Sequence, residues 1–311
     1  NYSMNPLVIK FGGYQKPASI NNAAARLFGE VLQARLGERI RFQLIGNVLD
    51  LGRPSGDLPV MVESGELSLC YISAVRFTDP VPEFKLLELP FVVRDRRSVH
   101  RAFAGEFGDL CKRRMRDATA FRLLGLWDNG FRHLTNRVRP IHTPADCRGL
   151  RIRTQMSELH GEALRALGFV PIPVDVKEFV EQIAGDRFDA QENPLTNTFN
   201  FGVHNYHRYI TLTGHFFGAT VMICNAQHYA GWPPEVQDAV AEAARQATAL
   251  QLKLAAAEDE QILAKFDPRH NEVVHLTDAE RAAFVAAVQP VLLKYRRELD
   301  PRLFAWIEPP S

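Results

Sequence analysis

The segment that decides the fold is residues 232–268, WPPEVQDAVAEAARQATALQLKLAAAEDEQILAKFDP. It starts with Trp232-Pro233-Pro234-Glu235, a typical helix start because a proline in the first turn loses no hydrogen bond. Asp267-Pro268 is a typical helix end, and neither glycine nor proline occurs in between. The pattern predicts a helix over 234–266, about 50 Å long at a rise of 1.5 Å per residue. Because a small domain is only about 30 Å wide, we expect this helix to run across two lobes.

The chain before this helix alternates between predicted strands and helices. Strands are predicted where apolar residues alternate or form a short run, and helices where they recur every three or four residues. The predicted strands are 7–12, 39–45, 67–72, 121–127, 149–154, 170–174 and 188–191. The predicted helices run from Ser19 to Gly37 and over 57–64, 97–115, 157–167 and 176–184, and a last helix covers 278–297. This alternation predicts an α/β protein with two lobes, each built on a mostly parallel sheet.

Length and composition are those of a globular protein with about two domains. The chain has 311 residues, and a domain usually takes about 150. Its 37 Lys and Arg nearly balance its 36 Asp and Glu, for a net charge of +1. A chain this neutral lacks the basic surface typical of nucleic-acid binding. No apolar run approaches the roughly 20 residues that span a bilayer, so we expect no direct insertion into a membrane.

The cysteine and histidine patterns indicate no metal site. The four cysteines lie far apart in the sequence, at Cys70, Cys111, Cys147 and Cys224. Without a C-x-x-C pair, they are expected to be small buried side chains, although the sequence leaves one disulfide open. His204 and His207, with His215 nearby, do not have the spacing of a closed metal site and are expected on a surface or interface segment.

Common catalytic signatures are absent from the sequence. It contains no G-x-S-x-G motif, no phosphate-binding loop, no H-E-x-x-H and no G-x-G-x-x-G. No pair of carboxylates stands out by its spacing as a general acid and base. The sequence therefore argues against an enzyme, and it calls for neither a cofactor nor a metal.

Arginines at the ends of two predicted strands form a candidate anion site. In the strand 149–154, Leu150 and Ile152 alternate with Arg151 and Arg153, so the two arginines share the face opposite the core residues. Arg132 follows the strand that ends at Trp127. A guanidinium binds a carboxylate through two parallel hydrogen bonds, and ligands usually bind at strand ends in such sheets. The alternative, that these are solvated strand residues, stays open.

A second polar group follows the predicted strand 188–191. Gln191, Glu192 and Asn193 come together at its carboxyl end and are followed by Pro194. Asn193 could donate a hydrogen bond to a ligand oxygen. The alternative is a simple Asn-Pro turn.

Several motifs, in order and over essentially the whole chain, give a family resemblance. They are Pro82-Glu83-Phe84, Glu88-Leu89-Pro90-Phe91, Trp127-Asp128-Asn129-Gly130-Phe131-Arg132, Gly149-Leu150-Arg151-Ile152-Arg153, Gln191-Glu192-Asn193-Pro194, Leu212-Thr213-Gly214-His215 and the segment Asn225–Trp232. With these motifs the chain resembles the extracytoplasmic solute-binding proteins of TRAP transporters, the DctP-type family. The resemblance implies the two-lobed periplasmic-binding-protein fold, or Venus flytrap, with a long helix spanning both lobes. Lobe I is then expected to comprise 1–129 plus 217–258, and lobe II 130–216 plus 259–311.

The resemblance also implies which residues bind the ligand, in a cleft between the lobes. The family's carboxylate-binding arginine matches Arg153, an assisting arginine matches Arg132, and the family's asparagine matches Asn193. The other expected contacts are Tyr14 and Gln15 after the first strand, Ser73 after the third strand, and Phe216 and Phe217 as walls of the cleft.

The function that the resemblance implies is capture of an organic acid and its delivery to membrane permease subunits. We expect a periplasmic, monomeric protein whose signal peptide, encoded before Asn5, has been removed. An aromatic residue often packed on the ligand in the family is replaced by Val176, which makes room for a wider ligand. We therefore expect a small or aromatic monocarboxylate, such as a hydroxy or keto acid. The alternatives are a C4-dicarboxylate, or a ligand-sensing domain of the same fold.

Overall fold

The fold mixes strands and helices in the order that an α/β protein requires, and the computed structural model describes it for residues 5–307. The strands are β1 Leu7–Gly12, β2 Ile40–Ile45, β3 Leu69–Ser73, β4 Phe121–Asn136, β5 Arg151–Thr154, β6 Val170–Pro173, β7 Ala190–Pro194, β8 Tyr209–Asn225 and β9 Glu272–His275. The helices are α1 Ile20–Leu36, α2 Leu58–Ser64, α3 Lys85–Glu88, α4 Arg96–Ala104, α5 Glu106–Ala118, α6 Glu158–Ala166, α7 Val176–Gln182, α8 Leu195–Asn200, α9 Ala226–Gly231, α10 Pro234–Leu263 and α11 Asp278–Arg296. The predicted signal-peptide boundary and the outermost residues of both predicted lobes lie outside the described residues.

The chain divides into two compact units. The first comprises residues up to Lys85, Val99–Asn129 and Ala219–Ala256, and the second comprises Leu86–Ser98, Gly130–Gly218 and the chain from Ala257 onward. The unit boundaries fall inside β4, β8 and α10, so each of these elements contributes to both units. As expected from its sequence, α10 is long: its 30 residues correspond to about 45 Å.

The first unit is organised around the parallel strands β1, β2 and β3. β1 pairs with both of the others, and β3 pairs antiparallel with the last part of β8. Helix α1 begins where Ser19 accepts a hydrogen bond from the Asn22 N–H, as its sequence predicts. Phe28 and Leu32 of α1 are fully buried in the core of this unit, which also contains Trp127.

The second unit carries most of the predicted ligand residues. β5 pairs in parallel with β6 and β7, β7 pairs antiparallel with the end of β4, and β9 pairs with the start of β8. The core packs Ile152 of β5 and Leu134 of β4 against Leu164 of α6 and Phe284 of α11. Because strand residues alternate between faces, burial of Ile152 in this core sends Arg151 and Arg153 to the opposite face.

The segment 86–98, predicted in lobe I, belongs to the second unit. Phe91 explains this difference, because it packs in the same core cluster as Leu134 and Phe284. Its N–H also donates to the His215 carbonyl at 2.9 Å. The remaining unit boundaries lie within two residues of the predicted ones, at Asn129/Gly130, Gly218/Ala219 and Ala256/Ala257.

Two predicted elements differ clearly from the structure, and one long strand was not predicted. The single helix predicted over 97–115 is two helices, α4 and α5, which are separated by Gly105 in an extended conformation. The strand predicted over 121–127 continues to Asn136, because its polar second half pairs with β7. No strand was predicted at the position of β8, whose 17 residues mix apolar and polar side chains and include Gly214 with a positive φ of 53°.

The cysteine prediction is confirmed, since Cys70, Cys111, Cys147 and Cys224 are all buried and free. Cys70 and Cys224 lie on the neighbouring strands β3 and β8, where Cys70 is opposite Ile223 and Cys224 is opposite Leu69. The two thiols therefore point to opposite faces of the sheet, which prevents a disulfide between them. Within residues 5–307, no helix combines the length and hydropathy of a membrane span.

Candidate ligand-binding site

Arg153 is a buried cation held by two contacts of its own unit. It lies near the end of β5 with only 3% of its surface exposed. Its Nε donates to the Val174 carbonyl at 2.9 Å, and its guanidinium lies 5.9 Å from the centre of the Phe179 ring. The two terminal nitrogens, Nη1 and Nη2, which form the fork that binds carboxylates, have no hydrogen-bond partner among residues 5–307.

No carboxylate among residues 5–307 forms an ion pair with Arg153. Burial, and then the charge of Arg132, lower the pKa of Arg153 to about 10. Arg151, two residues earlier on the same face, is instead paired with Asp189 through its Nε and Nη2 at 3.0 Å each. A buried charge without an ion-pair partner is costly, so binding of an anion beside Arg153 is energetically favoured.

Arg132 is neutralised by a buried glutamate. Its Nε donates to Glu192 Oε2, and its Nη2 donates to the Glu192 carbonyl at 2.9 Å. Glu192 is fully buried, and it also accepts from the Thr154 hydroxyl at 3.2 Å. Burial raises the pKa of Glu192, but the charge of Arg132 and the hydrogen bond from His215 hold it well below its usual range. Of the two predicted arginines, Arg153 is thus the one without an ion-pair partner among residues 5–307, although the charges of Glu192 and Asp175 act on it from a distance.

Asn193 lies beside both arginine positions. It is 3% exposed. In the pairing of β5 with β7, Arg153 is opposite Gln191, and Asn193 lies two residues after Gln191 on the same face of β7. Its Oδ1 lies 3.5 Å from Arg132 Nη2 and accepts from Asn197 Nδ2 at 3.3 Å. The structure therefore brings Arg132, Arg153 and Asn193 together, as expected, and adds Glu192 to them.

Phe216 and Phe217 are enclosed by other aromatic rings. Phe216 is stacked on His160, with ring centres 4.1 Å apart, and meets the edge of His215 at 4.7 Å. Phe217 packs edge-on against Phe131 at 5.1 Å. Both phenylalanines are at most 2% exposed, so within the second unit they act as packing residues. Their role as walls of a ligand cleft stays a prediction.

His160 is a residue that sequence reasoning missed. It is 2% exposed, and neither ring nitrogen has a hydrogen-bond partner among residues 5–307. Its nearest charged partner is Glu88, with Nε2 3.7 Å from Oε1. No local pattern around a single histidine in the first turn of α6 signals this position, because the contacts come from segments far apart in the sequence.

The histidine pair was expected on a surface or interface segment, and of these two positions the surface is wrong for His207. This side chain is 1% exposed, because its Nδ1 shares a hydrogen bond of 2.8 Å with the Thr135 hydroxyl and its ring packs against Phe179. Among the described residues, no group of three or more histidine, cysteine, aspartate or glutamate side chains could hold a metal ion.

Tyr14 and Gln15 belong to a loop that is fixed within the first unit. Asn22 of α1 donates its amide to the carbonyls of Gln15, Lys16 and Gly46 at 2.9–3.1 Å. The Tyr14 ring packs on Tyr71 with centres 5.5 Å apart. Burial raises the pKa of Tyr14 to about 12.

Ser73 ends β3 in the same unit. Its hydroxyl accepts from the Val75 N–H at 3.4 Å and so helps to start the following turn. The sequence placed these three residues at the ends of β1 and β3, where the structure has them, and their contact with a ligand stays a prediction.

A cavity of ≈ 480 Å³ lies in the second unit, between α6 and β6. Its lining combines Met156, Pro171 and Pro173 with the charged residues Glu158, Glu162 and Arg165. None of the predicted ligand residues lines it, so this cavity is separate from the arginine site.

Comparison with known proteins identifies relatives over most of the chain. The sequence profile of the family described as bacterial extracellular solute-binding protein, family 7 (DctP) matches residues 11–298. The 2,3-diketo-L-gulonate-binding periplasmic protein of Escherichia coli is 28% identical over 280 residues, which are 90% of this chain and 84% of that protein. The C4-dicarboxylate-binding periplasmic protein of Rhodobacter capsulatus is 26% identical over 288 residues, 92% of this chain and 85% of that protein.

Solved structures match the whole fold. A TRAP periplasmic solute-binding protein from Bordetella, with bound density assigned to pantoate, superposes with a TM-score of 0.84 at 25% identity. The match covers 98% of this chain and 100% of the other. This likeness confirms the predicted fold class, since the matched protein is itself a periplasmic solute-binding protein.

Proposed function

The chain belongs to the DctP family of bacterial extracellular solute-binding proteins, and we propose that it captures an organic acid through a carboxylate held by Arg153. The family and its named relatives are binding proteins, in line with the absence of catalytic motifs from the sequence. The observation that carries the proposal is the buried Arg153 guanidinium, which forms no ion pair with a carboxylate among residues 5–307.

The geometry of Arg153 favours one way of holding the acid. Because Nε is occupied by the Val174 carbonyl, the carboxylate is expected to bind end-on to Nη1 and Nη2. Such a bidentate, charge-assisted pair is among the stronger hydrogen-bonded contacts in proteins. Asn193 can add a further donor, since its Nδ2 has a second hydrogen besides the one given to Gln191.

Charge balance favours a single carboxylate in the second unit. Glu192 already pairs with Arg132, which leaves Arg153 as the one cation of the two without a direct ion-pair partner among residues 5–307. We therefore favour a monocarboxylate with hydroxy or keto groups. The Escherichia coli relative is named for 2,3-diketo-L-gulonate, a keto acid, and pantoate, a hydroxy acid, was assigned in the Bordetella protein. The Rhodobacter relative supports a C4-dicarboxylate as the alternative.

The two units are proposed to be the two lobes of the binding protein, with Tyr14, Gln15 and Ser73 as first-lobe contacts and Phe216 and Phe217 near the ligand. The named relatives are periplasmic proteins, in agreement with the predicted location. We propose that the bound acid is delivered, by a monomer, to the membrane permease subunits of a TRAP transporter.

A thermal-shift screen tests the proposed function. The ligands are 2,3-diketo-L-gulonate, pantoate, D-erythronate and succinate, with glucose and glycine as neutral and zwitterionic controls. An acid at 100 times its Kd should stabilise the protein by about 2.7 kcal/mol. Stabilisation by glucose or glycine but by none of the acids would contradict the proposal, and stabilisation by succinate alone would favour the dicarboxylate alternative.

A further inference from the structure

A chain of five hydrogen-bonded side chains runs from Arg132 to His207 within the second unit. Arg132 Nη2 lies 3.5 Å from Asn193 Oδ1, and Asn193 Nδ2 donates to Gln191 Oε1 at 2.7 Å. Gln191 Nε2 donates to Thr135 Oγ1 at 2.8 Å, and the Thr135 hydroxyl lies 2.8 Å from His207 Nδ1. All five residues are at most 9% exposed, so water does not replace these contacts.

The hydrogen bonds in this series of side chains all run from donor to acceptor in one direction, which is set by Arg132. A guanidinium only donates, so the oxygen of the Asn193 amide faces Arg132 and its nitrogen faces Gln191. The Gln191 oxygen is then the acceptor, and its nitrogen donates to Thr135. Because the Thr135 oxygen already accepts, its hydrogen is free to be donated to His207.

The last hydrogen bond of the series, between the Thr135 hydroxyl and His207 Nδ1, selects one tautomer of His207. If Nδ1 accepts from Thr135, the proton of the neutral ring lies on Nε2, and one buried group, Nε2–H, stays unpaired among residues 5–307. With the proton on Nδ1, both the Thr135 hydrogen and the Nε2 lone pair would lack a partner. Since each unpaired buried polar group is costly, the Nε2–H tautomer is favoured.

We propose that Thr135 and His207 are positioning residues that hold the Asn193 amide with its nitrogen directed away from Arg132, as a hydrogen-bond donor to the bound acid. This inference rests on the proposed function, because Asn193 needs a fixed orientation only if it contacts a ligand. Asn193 shares its strand face with Gln191, the register partner of Arg153. An amide that presents N–H there suits a ligand oxygen that only accepts, such as a carboxylate or keto oxygen.

The first test needs no ligand. Nitrogen-15 NMR of the histidine rings separates an accepting nitrogen from one that carries a proton. At pH 7 we expect His207 in the Nε2–H tautomer. A His207 ring with its proton on Nδ1, or an even mixture of tautomers, would overturn the proposal.

The second test compares valine and serine at Thr135. Thr135→Val keeps the shape of the side chain but removes the nearer of two acceptors for Gln191, whose Nε2 also donates to the Thr198 hydroxyl at 3.2 Å. It also removes the donor to His207, so we expect a mixture of His207 tautomers. Thr135→Ser retains the hydroxyl and should restore the single tautomer. Thr211→Val is the matched control, since Thr211 is also buried in this unit but donates to the Ile141 carbonyl at 2.9 Å. It should leave the His207 spectrum unchanged.

The third test measures affinity by calorimetry for 2,3-diketo-L-gulonate, pantoate, D-erythronate and succinate. Loss of one neutral hydrogen bond predicts about fivefold weaker binding for Thr135→Val, with recovery in Thr135→Ser and no change in Thr211→Val. If Thr135→Val changes the tautomer but not the affinity, the positioning role is wrong. If none of the four acids binds the unchanged protein, the proposed function fails for these acid classes. The NMR result still decides the donor-to-acceptor direction of the hydrogen bonds from Arg132 to His207.

Discussion

Replacing Arg153 by methionine should weaken binding of the acid by at least about a hundredfold and stabilise the ligand-free protein. Methionine has a similar length and no charge, so it removes the buried cation without a large cavity. The shift of the Arg153 pKa from 12.5 to about 10 corresponds to a penalty of about 3 kcal/mol on the charged form, at 1.36 kcal/mol per pKa unit. Loss of the hydrogen bond to the Val174 carbonyl destabilises the variant by about 1 kcal/mol or somewhat more, which offsets part of this gain. The net gain is about 1–2 kcal/mol in the free energy of unfolding.

Binding should change in the opposite direction. Removing one partner of a buried ion pair costs about 3–5 kcal/mol, which weakens binding by roughly two to three and a half orders of magnitude. Arg153→Lys should recover part of the affinity, because an ammonium retains the charge but lacks the fork. Arg151→Ala is the control on the same strand face: Arg151 is paired with Asp189 and its side chain is 42% exposed, so we expect less than a tenfold loss.

Two measurements check this prediction. Calorimetry with the acid identified by thermal shift gives the affinities, and urea unfolding without ligand gives the stabilities. Circular dichroism confirms that each variant keeps its fold. Binding by Arg153→Met within threefold of the parent would place the carboxylate anchor elsewhere, with Arg132 the first candidate. A ligand-free Arg153→Met that is less stable than the parent would show that Arg153 is already compensated without ligand.

Three further outcomes are expected. Burial lowers the pKa of His133 to about 3 and that of His207 to about 4. In the unfolded protein both histidines have a pKa near 6.5, so below that pH the unfolded state binds more protons than the folded state. The free energy of unfolding should therefore fall from about pH 6.5 towards pH 4, by up to about 1.4 kcal/mol per pH unit for each histidine. Urea unfolding between pH 4.5 and 7.5 checks this, and an equal slope in His133→Gln would contradict it. Gly13→Ala places a Cβ in steric conflict with the Tyr71 ring and should cost about 1–3 kcal/mol; an unchanged melting temperature would refute that clash. Because burial raises the pKa of all four cysteine thiols, a thiol reagent should label them only after unfolding, and labelling of the native protein would contradict their burial.

The order of secondary structure could be predicted because it depends on local patterns. β1 and the start and end of α1 follow from an apolar run, a serine cap and Gly37, all of which act within one or two turns of chain. β8 escaped prediction because it is long and mixed in polarity, and it pairs with β3 in one unit and β9 in the other. The break at Gly105 was also missed, since the amphipathic pattern continues across it.

By itself, the sequence determined the α/β class, the long helix and the strand on which Arg153 faces away from the core. Alternation along a strand is enough to place Arg151 and Arg153 on one face, and the family motifs single out Arg153. Only the tertiary structure decided which arginine is compensated: Arg151 pairs with Asp189, 38 residues away, and Arg132 with Glu192, 60 residues away, whereas Arg153 has no carboxylate partner among residues 5–307. The physical reason is that ion pairing and burial depend on distances between side chains that the fold brings together, and these distances leave no trace in local sequence.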